Sequence, residues 1–178
     1  MAVQIGKKPD AGFDDPIGML KDCHRRIENF LRVLCIVAER AGGRALTPEE
    51  GEAVAGALRY FQDGGARHNA DEEESLFPRM RGAAALDSEL HELAGLEGEH
   101  REAGELHAKV ERLYRRWLDQ HVLGADDAGL LLEATRRLET LYARHIEAEE
   151  TVVFPRAASC LAPATLAAIG AEFKARRR

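Results

Sequence analysis

The chain is 178 residues long, 45% hydrophobic and 6% aromatic, with a formal net charge of −6. That length supports one ordinary domain with a sizeable core, and the acidic balance gives no electrostatic reason to expect nucleic acid as a partner. Ala, Leu, Glu and Arg are plentiful, which is a helix-forming composition.

The opening "MAVQIGKKPDAGFDDP" lacks the apolar stretch of a signal peptide. No window approaches the roughly 18 apolar residues of a membrane span. Cys23, Cys35 and Cys160 lie far apart and form no CxxC pair. They suit a reducing cytoplasm better than a disulfide framework. The expectation is a cytoplasmic monomer without membrane or nucleic-acid partners. Residues 1–13 are expected to form a flexible segment and 14–178 a single helical domain.

Four long helices are expected in chain order. The first starts at Asp15, an N-cap residue, with Pro16 in the first helical position. Its apolar stripe runs Ile17, Leu20, Ile27, Leu31, Leu34, Ala38. "AGGRAL" breaks it, and Thr47-Pro48 starts the second, with Val54, Leu58, Phe61 and Leu76 inward and a weak point at Gly64-Gly65. The third carries Leu86, Leu90, Leu93, Ala103, Val110, Leu113 and Trp117, and the fourth Leu131, Ala134, Leu138, Leu141 and Val152. Phe77-Pro78 and Phe154-Pro155 are expected to end or kink helices two and four. A short fifth segment around Leu166, Ile169 and Phe173 caps the bundle, and the closing "KARRR" reads as a frayed, solvated tail. No run alternates with period two. The fold class is all-α, an up-down-up-down four-helix bundle with a short C-terminal extra helix.

Each stripe has a gap, and each gap holds a histidine: His24, His68, His100 and His145. Glu72 and Glu149 follow the second and fourth histidines by four residues, so all six side chains point inward. Such groups cost several kcal/mol when buried without partners. The bare His-x-x-x-Glu pair is weak evidence, because His24/Glu28 and His107/Glu111 show it too, and Glu28 and Glu111 suit exposed faces. The extended copy is stronger. "RHNADEEESLFPRM" from Arg67 and "RHIEAEETVVFPRA" from Arg144 share Arg, His, Glu, Glu, Phe, Pro and Arg at the same spacing.

Four imidazoles and two carboxylates can hold two metal ions. The glutamates can each bridge, with the histidines terminal, two on each ion or split unevenly. Nitrogen and oxygen ligands without thiolate suit iron, with manganese or zinc as substitutes. Glu73 and Glu150 lie about 100° off the ligand face, as supporting or surface residues. Cys23 adjoins His24 but points the same angle away from it and is not made a ligand.

At these residues the sequence resembles the hemerythrin-like family, the HHE cation-binding domains, in its bacterial non-heme di-iron branch. The resemblance rests on "DCHRRIE", "RHNADEEESLFP", "GEHREAG" and "RHIEAEETVVFP". It implies a four-helix bundle around two iron ions, oxo- or hydroxo-bridged, held by His24, His68, Glu72, His100, His145 and Glu149. It also implies a small ligand such as O2, peroxide or nitric oxide. Two departures bear on function: Gly104 stands where oxygen carriers have a further histidine, and Glu149 stands four residues after His145 where they have an Asp at five. A redox enzyme acting on O2 or peroxide, a sensor, and an iron-buffering module without turnover all use the same six ligands. Glu97-x-x-His100 prompts a ferritin-like alternative, but such sites need a second Glu-x-x-His and the chain has none. His107 and Tyr142 fall on the ligand side and are candidate pocket residues with Gly104, although packing roles suit both. His91 and His121 have no stripe and read as solvated.

Overall fold

The structure is a computed structural model and describes residues 10–83 and 87–178, with the backbone path alone for 87–90. Leu86 and the side chain of Leu90, assigned above to the third stripe, lie outside it. Among the described residues the chain is helical, with no strand. The first rod is α1 (Pro16–Ala41). The second is α2 (Pro48–Tyr60), α3 (Ala66–Asp71) and α4 (Phe77–Ala83), continuous through wide π turns at Phe61–Gly65 and Glu72–Leu76. The third is α5 (Asp87–Gln120). The fourth is α6 (Ala125–Ala148) and α7 (Phe154–Cys160), joined by a π turn at Glu149–Val153, and α8 (Pro163–Ala175) closes one end.

Local chemistry sets the starts. Asp15 accepts from the Gly18 amide at 2.9 Å. Thr47 and Glu50 form a reciprocal capping box, satisfying two otherwise orphaned donors. Gly42 closes α1 with φ of 54°, the left-handed conformation that favours glycine.

Helices two and four do not end at their Phe-Pro pairs. Each continues for seven residues as α4 and α7. Proline lacks an N–H and its ring crowds the carbonyl four residues back; the wide turn ahead of it relieves that crowding. Phe77 N–H donates to the Glu72 carbonyl and Phe154 N–H to that of Glu149, five residues back in both cases. The extra residue shifts the helical phase. Val152, expected inside, is therefore 46% exposed, while Val153 and Phe154 are buried.

The rods pack as a bundle, with α1 against α2 and α6, and α5 against α6 and α2. Three apolar layers stack along it. Leu34, Val54, Leu58, Tyr114, Trp117 and Leu131 fill one end. Ile27, Leu31, Leu138, Leu141 and Tyr142 form the middle. Leu20, Leu76, Phe77, Phe154, Ile169 and Phe173 fill the end covered by α8. The closing "KARRR" is not a frayed tail: Arg176 and Arg177 pair with the fully buried Asp71 at 3.0 and 2.6 Å. A buried carboxylate needs a counter-charge, and the tail supplies it. Ala11, ahead of α1, is also tied down, as its N–H donates to Asp22 at 2.6 Å.

Candidate metal centre

Rods one and three begin near the α8-covered end, and rods two and four finish there. His24 and His100, early in their rods, therefore meet His68–Glu72 and His145–Glu149, late in theirs. All six side chains are 6% exposed or less. They form one polar layer between the middle and α8-covered cores.

The layer resolves into two groups of four that share both carboxylates: His24, His68, Glu72 and Glu149, and Glu72, His100, His145 and Glu149. Within each group one donor atom per residue lies within 4.8 Å of all the others. His24 Nε2 is 3.0 Å from Glu149 Oε2 and His145 Nε2 is 3.3 Å from Glu149 Oε1. His68 Nε2 and His100 Nε2 are each 3.4 Å from an oxygen of Glu72. Each carboxylate thus faces one group with each oxygen.

His100 Nε2 and His145 Nε2 are within hydrogen-bonding distance at 3.1 Å, but most of this proximity is not hydrogen bonding. His24 Nε2, both nitrogens of His68 and all four oxygens of Glu72 and Glu149 are buried and have no hydrogen-bond partner. Leaving such atoms unmatched costs on the order of 1–3 kcal/mol each. Donor atoms that converge on a common point without hydrogen-bonding one another fit a cation. The set of four imidazoles and two carboxylates, without thiolate, fits a divalent transition metal at each of two positions.

The electrostatics agree. Burial and the charge of Glu149 push the Glu72 carboxyl well above its usual range. Burial would do the same to Glu149, but His145 and His24 outweigh it and hold that carboxyl well below. Burial opposes charge on His24 and His145, yet Glu149 and Glu72 overcome it and raise both imidazoles. Burial, then His24, pushes His68 well down. Without metal the cluster holds protons on its way to neutrality, and cations displace them.

An outer layer orients the histidines. His100 Nδ1 meets Glu73 at 2.7 Å and His24 Nδ1 meets Glu150 at 2.9 Å. These are the two glutamates that sequence placed off the ligand face. Phe77 and Phe154, turned inward by the π turns, stack on His100 and His24 with ring centroids 6.2 and 5.4 Å apart. Each half of the duplication therefore supplies the carboxylate and the ring that fix the other half's first histidine. Glu99 was missed by the sequence reading; its carboxylate meets His145 Nδ1 at 2.9 Å and Arg144 at 2.6 Å. No single-helix spacing signals it, because its partners are on another rod. A carboxylate on the far nitrogen fixes the tautomer and strengthens the histidine as a ligand.

Gly104, His107 and Tyr142 line one cavity of about 230 Å³. Gly104 is exposed at its mouth rather than packed against a helix, since a Cβ there would meet nothing within 4 Å. His107 Nε2 and Tyr142 Oη are 3.1 Å apart. Burial pushes His107 down to about 4 and raises the Tyr142 hydroxyl, so both groups are neutral and share one hydrogen bond. The Tyr142 ring stands edge-on to His145, centroids 6.3 Å apart. Glu28 is exposed, and Glu111 is half-buried at the cavity, where Gln62 and Arg115 hold it. His91 and His121 are exposed.

The sequence profile described as the hemerythrin HHE cation binding domain matches residues 15–157. The chain belongs to the hemerythrin HHE family. An uncharacterized protein of Haemophilus influenzae is 28% identical over 173 residues, covering 94% of this chain and 93% of that one. The matched span of the HHE domain contains every residue of the two four-donor groups and leaves α8 outside. Among the described residues no single helix of this HHE protein is long and apolar enough to cross a membrane.

Proposed function

We propose that this HHE protein is a non-heme di-iron protein whose centre binds or reacts with O2, peroxide or nitric oxide, as a redox enzyme or a sensor. His24 and His68 would hold one iron and His100 and His145 the other, with Glu72 and Glu149 common to both groups. Iron in such a nitrogen and oxygen ligand set supplies a redox-active Lewis acid. The observation that carries the reading is the pair of four-donor groups sharing two buried, unpartnered carboxylates.

Reactivity rather than storage is favoured by the cavity beside the centre. Its volume of about 230 Å³ suits molecules of a few atoms, and Tyr142 links its wall to the His145 ring. The hydroxyl of Tyr142 and the ring of His107 give it a neutral hydrogen-bonding wall. No residue that would block its mouth is present at position 104.

Optical spectra of the iron form before and after air, hydrogen peroxide and nitric oxide test this. A change with at least one of them is expected, and silence with all three leaves an iron-buffering module. Gly104→His is expected to slow the peroxide and azide reactions while two irons are retained. Unaltered reaction rates in that variant would remove the cavity from the route.

A further inference from the structure

The two halves of the duplication differ at one place in the outer layer. His145 Nδ1 is 2.9 Å from Glu99, and Glu99 also binds Arg144 at 2.6 Å. The counterparts of His145, Arg144 and Glu99 in the first half are His68, Arg67 and Cys23. His68 and Arg67 precede His145 and Arg144 by 77 residues, and Cys23 stands one before His24 as Glu99 stands one before His100. Cysteine at that position offers no carboxylate, and neither counterpart has one. His68 Nδ1 is buried with no hydrogen-bond partner. Arg67 forms no ion pair with any described residue.

The surface beside Cys23 is a groove of about 500 Å³ lined by Cys23, Arg26, Arg59, Asp63, Arg67 and Arg177, among others. Arg26 is held by Asp10, and Arg177 by Asp71 at 2.6 Å. Arg59 and Arg67 are left without an ion-pair partner among the described residues, against the single lining carboxylate of Asp63. In a chain of net charge −6 this is a local concentration of guanidinium groups, and guanidinium is the side chain best suited to oxyanions.

We propose that this groove binds a small oxyanion, a carboxylate or an inorganic phosphate, on Arg67. That anion pairs with Arg67 as Glu99 pairs with Arg144 in the other half, beside Cys23 and one residue from His68. The proposal rests on the di-iron reading for its link to the metal, but the groove itself does not. It makes the two metal positions unequal. The pair His100–His145 has carboxylates behind both rings, while His24–His68 has one, so the second position holds its ion less tightly until an anion binds.

The test combines stepwise metal titration with anion titration. Metal affinity is measured against a competing chelator in chloride, acetate and phosphate at matched ionic strength, and anion binding by calorimetry on metal-loaded and metal-stripped protein. In chloride the parent is expected to show two unequal steps, and acetate or phosphate is expected to strengthen the weaker one; which of them acts identifies the source. Cys23→Glu is expected to strengthen the weaker step about 10- to 100-fold and to abolish the anion effect. Arg67→Gln is expected to abolish anion binding and leave the steps in chloride unchanged. Equal steps in the parent that neither anion alters overturn the proposal. Should Cys23→Glu fail to fold, Arg67→Gln decides, and anion binding that survives it is equally fatal. Anion bound through Arg67 on a chain that takes up no metal would refute the di-iron reading and leave the groove standing.

Discussion

Two layers of the same bundle bury polar atoms in opposite ways. At the end away from α8, Tyr114 Oη donates to the Leu34 carbonyl at 2.5 Å, Trp117 Nε1 to the Arg44 carbonyl at 2.8 Å, and Thr135 Oγ1 to the Leu131 carbonyl at 2.7 Å. Every one of those buried donors is matched inside the protein. In the histidine–glutamate layer, seven buried atoms of His24, His68, Glu72 and Glu149 have no hydrogen-bond partner. The helices, their period and their loops serve both layers alike. What differs is whether the protein satisfies its own polar groups, and a fold that does so at one end and not at the other reserves the second for a ligand.

Stripping the metal breaks the comparison most severely. If cations match the unpaired layer, chelation is expected to lower the thermal midpoint by about 10 °C or more, since a ligand bound only to the folded state adds stability by mass action. Scanning calorimetry with and without chelator, with metal loss verified, checks it. An unchanged midpoint would mean that the layer is matched in some other way.

Next comes the matched end. Leu131 is fully buried among Leu34, Tyr114 and Trp117. Leu131→Ala is expected to cost roughly 2–5 kcal/mol in denaturant unfolding while metal content is unchanged. Loss of metal along with stability would show that the layers are not separable.

Smaller effects sharpen the metal layer. Glu73→Gln, Glu99→Gln and Glu150→Gln each weaken the carboxylate behind one histidine, and each is expected to lower metal affinity about 10- to 100-fold. Glu28→Gln, on an exposed face, is expected to change nothing, and competition with a chelator distinguishes the two groups. The smallest effect is that of mild acid. His24 and His145 are raised in the metal-free protein because Glu149 and Glu72 outweigh burial. Protons therefore compete with metal from above the ordinary imidazole range, and affinity should fall as pH drops through it. An affinity flat between pH 8 and 5 would contradict that sign.

The bundle and the six inward groups were legible because a 3.6-residue period carries both, and the duplicated His-x-x-x-Glu with Phe-Pro picked out histidines that meet in the buried layer. The family resemblance covered the same residues that the profile matches. The π turns were not legible, since a Phe-Pro pair reads as a stop wherever only α geometry is considered. With them went the phase of Val152 and the inward turn of Phe154. Glu99 and the Arg176–Arg177 latch on Asp71 escaped for another reason: their partners lie 46 to 106 residues away, and only packing brings them together.

The central claim is that the unmatched layer is a two-ion site bridged by Glu72 and Glu149, and metal content tests it most directly. Protein made in iron-replete cells is expected to contain about two irons per chain, with both lost together in Glu72→Ala and in Glu149→Ala, because each carboxylate serves both groups of donors. A ratio near one in the parent, or either variant folded with both irons in place, would contradict the account.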